Sequence, residues 1–259
     1  MGSVALDPWW IARLVAAVGI LIVVSTIALR TLGMDRWREP AWAVLRGAIQ
    51  LALLSLVLSG IIGNGWLVAA FLVVMIVAAT LIAARRAGGG RRTLLVTATA
   101  IVAGTVVSGT VVFGTGAVEF SSRYLLAVGG ILIGGAMTVA GVGGLSLRRV
   151  LDDRWDEVEG WLALGATSRQ STIRLARVAA STALTPLVDQ TKSTGVVVLP
   201  GTFVGAIFGG LSPLEAGLFQ ITVLGALIAS GSIVVLVLMM GLTTRVERPI
   251  TPGVSSRAT

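Results

Sequence analysis

The 259-residue sequence has no cysteine, no histidine, one lysine (Lys192) and one tyrosine (Tyr124). Without thiols there can be no disulfide and no thiolate metal site, and without imidazole another common metal ligand is missing. The same absences remove the Cys–His and Ser–His pairs that activate many enzymatic nucleophiles. The phosphate-cradling pattern G-x-x-x-x-G-K-[ST] does not occur either, because no glycine loop precedes Lys192-Ser193. The chain is therefore expected to be neither an enzyme nor its own ATPase, and to bind no cofactor. Charge is also scarce: 12% of residues are charged, against roughly 25% in an average soluble domain.

Apolar residues take that place, at 55% of the chain with a mean hydropathy of +0.94. A bilayer core of about 30 Å needs roughly 20 apolar residues per helical crossing. Seven such segments are predicted, at residues 9–29, 42–62, 66–84, 93–113, 123–146, 179–210 and 216–243. The formal charge of +8 would suggest nucleic acid for a soluble protein. Here the basic residues flank apolar runs, so the expected partner is the lipid bilayer. The first residues lack the basic region and A-x-A site of a signal peptide, and Leu6 stands where myristoylation wants Ser or Thr. They are read as part of the mature chain.

The connections alternate in charge. Arg30, Arg36 and Arg38 follow the first segment, Arg85, Arg86, Arg91 and Arg92 the third, a long charged island the fifth, and Arg245, Arg248 and Arg257 the last. The intervening connections carry at most Glu119 with Arg123, or no Lys or Arg at all. Basic loops stay cytosolic. The expected fold is an all-α, polytopic integral membrane protein of about seven transmembrane helices, N-terminus outside and C-terminus cytosolic. It forms one transmembrane domain over 1–259, with 148–178 a cytosolic segment and 244–259 a cytosolic tail. Trp9, Trp10, Trp42 and Trp66 fall at segment ends as interfacial anchors. Gly130, Gly134 and Gly141, and then Gly201, Gly205 and Gly209, suggest small faces for close helix packing.

The island balances Arg148, Arg149, Arg154, Arg169, Arg174 and Arg177 against Asp152, Asp153, Asp156, Glu157 and Glu159. Val158, Leu162 and 164–166 give one short apolar face, and Gly165 offers a break before a second helix holding Ile173, Leu175 and Val178. A helix, a bend and a helix are predicted. By itself this could be an amphipathic helix lying in the membrane interface.

The segment 179–210 is too long for one straight crossing, at about 48 Å. Pro186 and Leu199-Pro200-Gly201 are the expected interruptions. Asp189 and Lys192 are three apart and share a helix face. Two placements follow. Either the pair lies near the bilayer centre, where charge is functional by default, or residues 189–194 sit at the cytosolic interface and the crossing starts at Gly195. Likewise the pair either gates a path or fixes a helix. Oxygen ligands for a hard cation are limited to Asp189, Glu119 and Glu215, with Gln50, Gln190 and Gln220 as auxiliaries.

Glu159-Gly160-Trp161 followed by Gly165 resembles the coupling segment of ABC-transporter permeases, although the two alanines of that pattern and its later Leu-Pro are missing. The run from Leu184-Thr185-Pro186 through Asp189-Gln190-Thr191-Lys192, Leu199-Pro200-Gly201, Leu211-Ser212-Pro213 and Phe219-Gln220 is similar to the FetB-type permease family of bacterial iron-export and plant aluminium-resistance permeases. The resemblance covers the whole topology and is most specific over residues 157–221. It implies a permease subunit of an ATP-driven exporter in the inner (plasma) membrane, forming a homodimer and served by a separate ATPase that uses ATP and Mg. It implies coupling through Glu159, Trp161, Gly165, Ala166 and Thr167, and a substrate path or gate at Asp189, Gln190, Lys192, Pro200, Gly201 and Gln220, with Asp189 the candidate metal ligand. Iron is the implied substrate. An organic or chelated-metal solute, a secondary transporter, and a structural or sensory subunit remain alternatives.

Overall fold

The structure, a computed structural model, describes residues 8–35 and 37–244. Arg36, Arg245, Arg248, Arg257 and the rest of the expected tail beyond Thr244 lie outside the described residues. The described residues form nine helices and no sheet: α1 Pro8–Thr31, α2 Glu39–Ile61, α3 Gly65–Arg86, α4 Arg91–Gly114, α5 Ser122–Asp153, α6 Trp155–Ala163, α7 Ser168–Ser193, α8 Gly201–Phe208 and α9 Pro213–Thr243. The chain divides into two compact units, one ending at Ile61 and one starting at Ile62.

In the first unit, α1 and α2 form a hairpin and leave no residue buried. Its turn is basic: the Arg30 and Arg38 guanidinium groups each sit 4.4 Å from the Trp37 ring, so cation–π attraction ties the two helix ends.

The second unit is built around α5, which touches α3, α4, α7 and α9. Its core is made largely of small and β-branched residues, including Ala83, Ala100, Ile101, Ile133, Ala136, Val139, Ala140, Ala179, Val234 and Leu238. Small residues let helix backbones approach where lipid provides no hydrophobic drive. Of the glycines expected to pack, Gly141 does, its added Cβ lying 3.2 Å from the Arg86 side chain and 3.8 Å from Ala83 Cα, whereas Gly134, Gly201 and Gly205 meet nothing within 4 Å. The tightest approaches to neighbouring backbone fall at Gly104, whose added Cβ would lie 2.7 Å from the Ser230 carbonyl, and at Gly144, where it would lie 2.4 Å from Ala87 Cβ and 3.2 Å from its Cα. A backbone cannot swing aside as a side chain can. Gly144→Val is therefore expected to cost about 1–3 kcal/mol, read as a lower melting temperature in detergent, whereas Gly205→Ala should leave melting unchanged.

One end of this unit collects the basic residues. Gly88, in the Arg86–Arg91 turn, lies against the Arg148 guanidinium. Arg92 donates to the Gly241 carbonyl at 2.9 Å and to the Thr244 hydroxyl at 2.5 Å.

Six helices, α1 to α5 and α9, are long and apolar enough to cross a membrane. Among the described residues six of the seven expected segments are thus continuous candidate spans, and the sixth is interrupted. Its helix begins at Ser168, well before residue 179, runs through Pro186, stops at Ser193 and resumes as α8 only at Gly201. Gly195 takes φ +86°, a conformation costly for any residue with a Cβ, and Pro200 precedes α8 with no N–H to continue a helix. α8 alone does not make a helical crossing that starts at Gly195, since its eight residues reach only about 12 Å.

Candidate functional site

The predicted helix, bend and helix are present at the basic end of the second unit. Asp156 and Glu157 occupy the first turn of α6, where the helix dipole favours negative charge. Trp155, Val158 and Leu175 bury themselves against Val150 and Leu151, fixing α6 to α5 and α7. Arg174 on α7 pairs with Glu157 at 2.6 Å. The helix stops in a Schellman turn: Ala166 N–H donates to the Trp161 carbonyl and Gly165 N–H to that of Leu162, both at 3.0 Å. Gly165 carries the required left-handed backbone, at φ +89°. Thr167 then starts α7 in a capping box with Gln170.

The expected single apolar face of Val158, Leu162 and residues 164–166 is divided in the structure. Val158 is buried, whereas Trp161 and Leu164 remain 51% and 82% exposed. Glu159 is exposed but already engaged, accepting a 2.6 Å hydrogen bond from the Trp155 indole. Its spacing to Trp155, one helical turn, was readable in the sequence, but the burial of Trp155 was not. The element therefore presents an apolar tip, Trp161 and Leu164, flanked by Glu159, Gly165, Ala166 and Thr167.

The second cluster of predicted residues lies where α7 ends. Lys192 Nζ is 3.7 Å from Asp189 Oδ1, with both side chains mostly exposed. The chain closes on itself beyond them: Val198 N–H donates to the Ser193 carbonyl at 3.1 Å, and Gly195 N–H to that of Val198 at 2.9 Å. The Ser193 and Thr194 hydroxyls donate back to the Asp189 and Gln190 carbonyls. Orphaned carbonyls at a helix end are satisfied in this way. Gly201 opens α8 after Pro200.

Gln190 lines a cavity of about 260 Å³ together with Gly134, Thr138, Pro186, Leu187 and Leu227. Gly134 lies about 18 Å along α5 from Ser122 and about 21 Å from Arg148, so Gln190 is level with the middle of that stretch. Gln220 has a different role. It is 6% exposed and accepts a hydrogen bond from the Thr202 hydroxyl, clasping α8 to α9. No local sequence signal connects two polar residues 18 apart on different helices.

The possible oxygen ligands are not brought together. Among the described residues there is no group of three or more Asp, Glu, His or Cys side chains able to hold a metal ion. Glu119 is an exposed loop residue, and Glu215 serves in the capping box with Ser212 that starts α9. Asp189 stands with Lys192 alone.

These elements define a multi-pass, all-helical membrane protein. The chain belongs to the uncharacterised protein family UPF0014, whose pattern matches residues 11–246. It is 34% identical to the UPF0014 membrane protein STAR2 of Oryza sativa subsp. japonica, over 85% of this chain and 77% of that one. Protein ALUMINUM SENSITIVE 3 of Arabidopsis thaliana is 33% identical over 84% of this chain and 81% of its own length. The "Probable iron export permease protein FetB" of Escherichia coli K12 is 27% identical over 83% of both chains. No solved structure matches the chain.

Proposed function

We propose that this chain is the membrane-spanning permease subunit of an ATP-driven exporter in the plasma membrane, with a metal ion, iron first, as its cargo. The observation that carries the reading is the α6–Gly165–α7 element, which holds an exposed apolar tip on a braced base at the basic end of the bundle. Basic residues mark the cytosolic side, where a soluble ATPase would receive that tip, bind ATP and Mg, and push. The relative from Escherichia coli, a probable iron export permease, supports the same reading.

In this reading α7 and α8 together make one broken crossing between α5 and α9. Counted with the six continuous spans, it puts the N-terminus outside and the C-terminus in the cytosol. Asp189, Gln190 and Lys192 then lie near the bilayer middle, where a charge is expensive unless it faces protein or a water-filled path. Pro200, Gly201 and the Thr202–Gln220 clasp hold the outer half of that path. A homodimer provides the second wall.

The test is ATP-dependent uptake of radioactive iron into inside-out vesicles holding this chain and its ATPase. Uptake that needs both proteins is expected, and Lys192→Ala should abolish it at normal protein levels. Stimulated ATP hydrolysis without iron uptake would keep the permease and reject iron. Uptake without any ATPase would reject ATP coupling and favour a secondary transporter.

A further inference from the structure

The exposed face of α7 has no explanation within the second unit. Residues Arg174, Val178, Ser181, Thr182, Thr185, Asp189 and Lys192 recur at three- and four-residue steps and all lie on its uncovered side, while Ala179, Ala183 and Leu187 turn inward to α5 and α9. This 26-residue helix is the long one that is not apolar enough to count as a span. The hydroxyls alone would not decide the matter. Thr182 and Thr185 donate to the Val178 and Ser181 carbonyls of their own helix, at 3.0 and 2.8 Å, a closure that lipid tolerates. Asp189 and Lys192 do decide it: their side chains are 63% and 73% exposed and 3.7 Å apart. An ion pair that open, level with the middle of α5, cannot face hydrocarbon.

We propose that this stripe faces the same stripe of a second copy of this chain, so that two α7 helices form the dimer seam and enclose the water-lined path between them. The inference rests on the permease reading and names its dimer face. Two copies inserted in the same sense are related by a two-fold axis along the membrane normal, which sets like residues at equal height. Asp189 of one copy and Lys192 of the other then differ in height by about 4.5 Å, within reach of a lysine side chain. The surface is therefore self-complementary. Each carboxylate can pair within its chain or across the seam, and exchanging one pairing for the other would open or close the path without stranding a charge.

The chain has no cysteine of its own, so a single introduced thiol is diagnostic. In membranes holding the full chain and its ATPase, Thr182→Cys and Thr185→Cys are expected to give disulfide-linked dimers. Val111→Cys, also exposed but on α4, should not. The sharper arm mixes two differently tagged chains carrying Thr185→Cys, one with Asp189→Lys and the other with Lys192→Asp. At positions 189 and 192 the first bears two positive charges and the second two negative, so mixed dimers should exceed like-with-like dimers by about tenfold. A statistical mixture would overturn the proposal. So would equal crosslinking from Val111→Cys, or no crosslink from well-recovered chains, which would leave the stripe to a cover other than a second copy. ATP-dependent transport by the wild-type chain in any of those cases keeps the permease reading. Crosslinking as expected with no ATP-dependent transport of any solute by the wild-type chain would reject that reading and keep the seam.

Discussion

Replacing Trp161 and Leu164 together by alanine is expected to lower capture of the partner ATPase on the order of a hundredfold and to abolish ATP-driven transport, with the fold intact. Buried aromatic anchors at an interface each carry about 2 kcal/mol or more, and 1.4 kcal/mol is a factor of ten in binding. The fold should survive because neither side chain belongs to the Trp155, Val158 and Leu175 cluster that holds α6 down. Trp155→Ala should do the reverse. It empties that cluster and removes the donor to Glu159, so melting falls before binding does. Glu157→Ala should do little, because its partner Arg174 is 68% exposed and such pairs contribute about 0–1 kcal/mol. Co-purification with the ATPase, measured beside melting temperature, separates the three. Full capture by the double variant would remove the coupling assignment.

How far the sequence could be read follows from where the signals were local. Val158, Leu162, Gly165 and Ile173 lie in one short stretch of the chain, and the helix–bend–helix was legible from them. The Asp189 and Lys192 pairing follows from a three-residue step. The second helix of the island and the apolar segment from residue 179 are one helix, α7; they read as separate because Arg169, Arg174 and Arg177 depress hydropathy over its first three turns, and a search for apolar runs begins only after them. Of the packing glycines only Gly141 was foreseen, because Gly144 meets Ala87 and Gly104 meets Ser230 only through tertiary contact, and spacing within one helix does not say which face a neighbour will take. The Thr202–Gln220 clasp is invisible for the same reason.

The break between α7 and α8 yields the second large effect. A chain carrying Gly195→Ala and Pro200→Ala is expected to lose at least about nine-tenths of ATP-driven transport while still capturing its ATPase, since the coupling tip is untouched. At φ +86° a residue with a Cβ is disfavoured by about 1–2 kcal/mol, which pushes residue 195 toward helix, and alanine at 200 restores the N–H that a continuing helix needs. An unbroken helix from Ser168 to Phe208 would be about 61 Å long, twice the bilayer core. It could not fit without drawing α8 away from α9. Gln220, buried at 6% exposure, would then lose Thr202 as its donor, a penalty of about 1–3 kcal/mol. The healed helix and the clasp thus compete, and the break persists in the wild-type chain because Gly195 and Pro200 make healing unfavourable. Gly205→Ala serves as the control, because it adds a methyl where no atom lies within 4 Å and leaves both break residues in place. Wild-type transport by the double variant would show that the path does not run through the break. Loss of transport together with loss of ATPase capture would instead assign the effect to the fold as a whole.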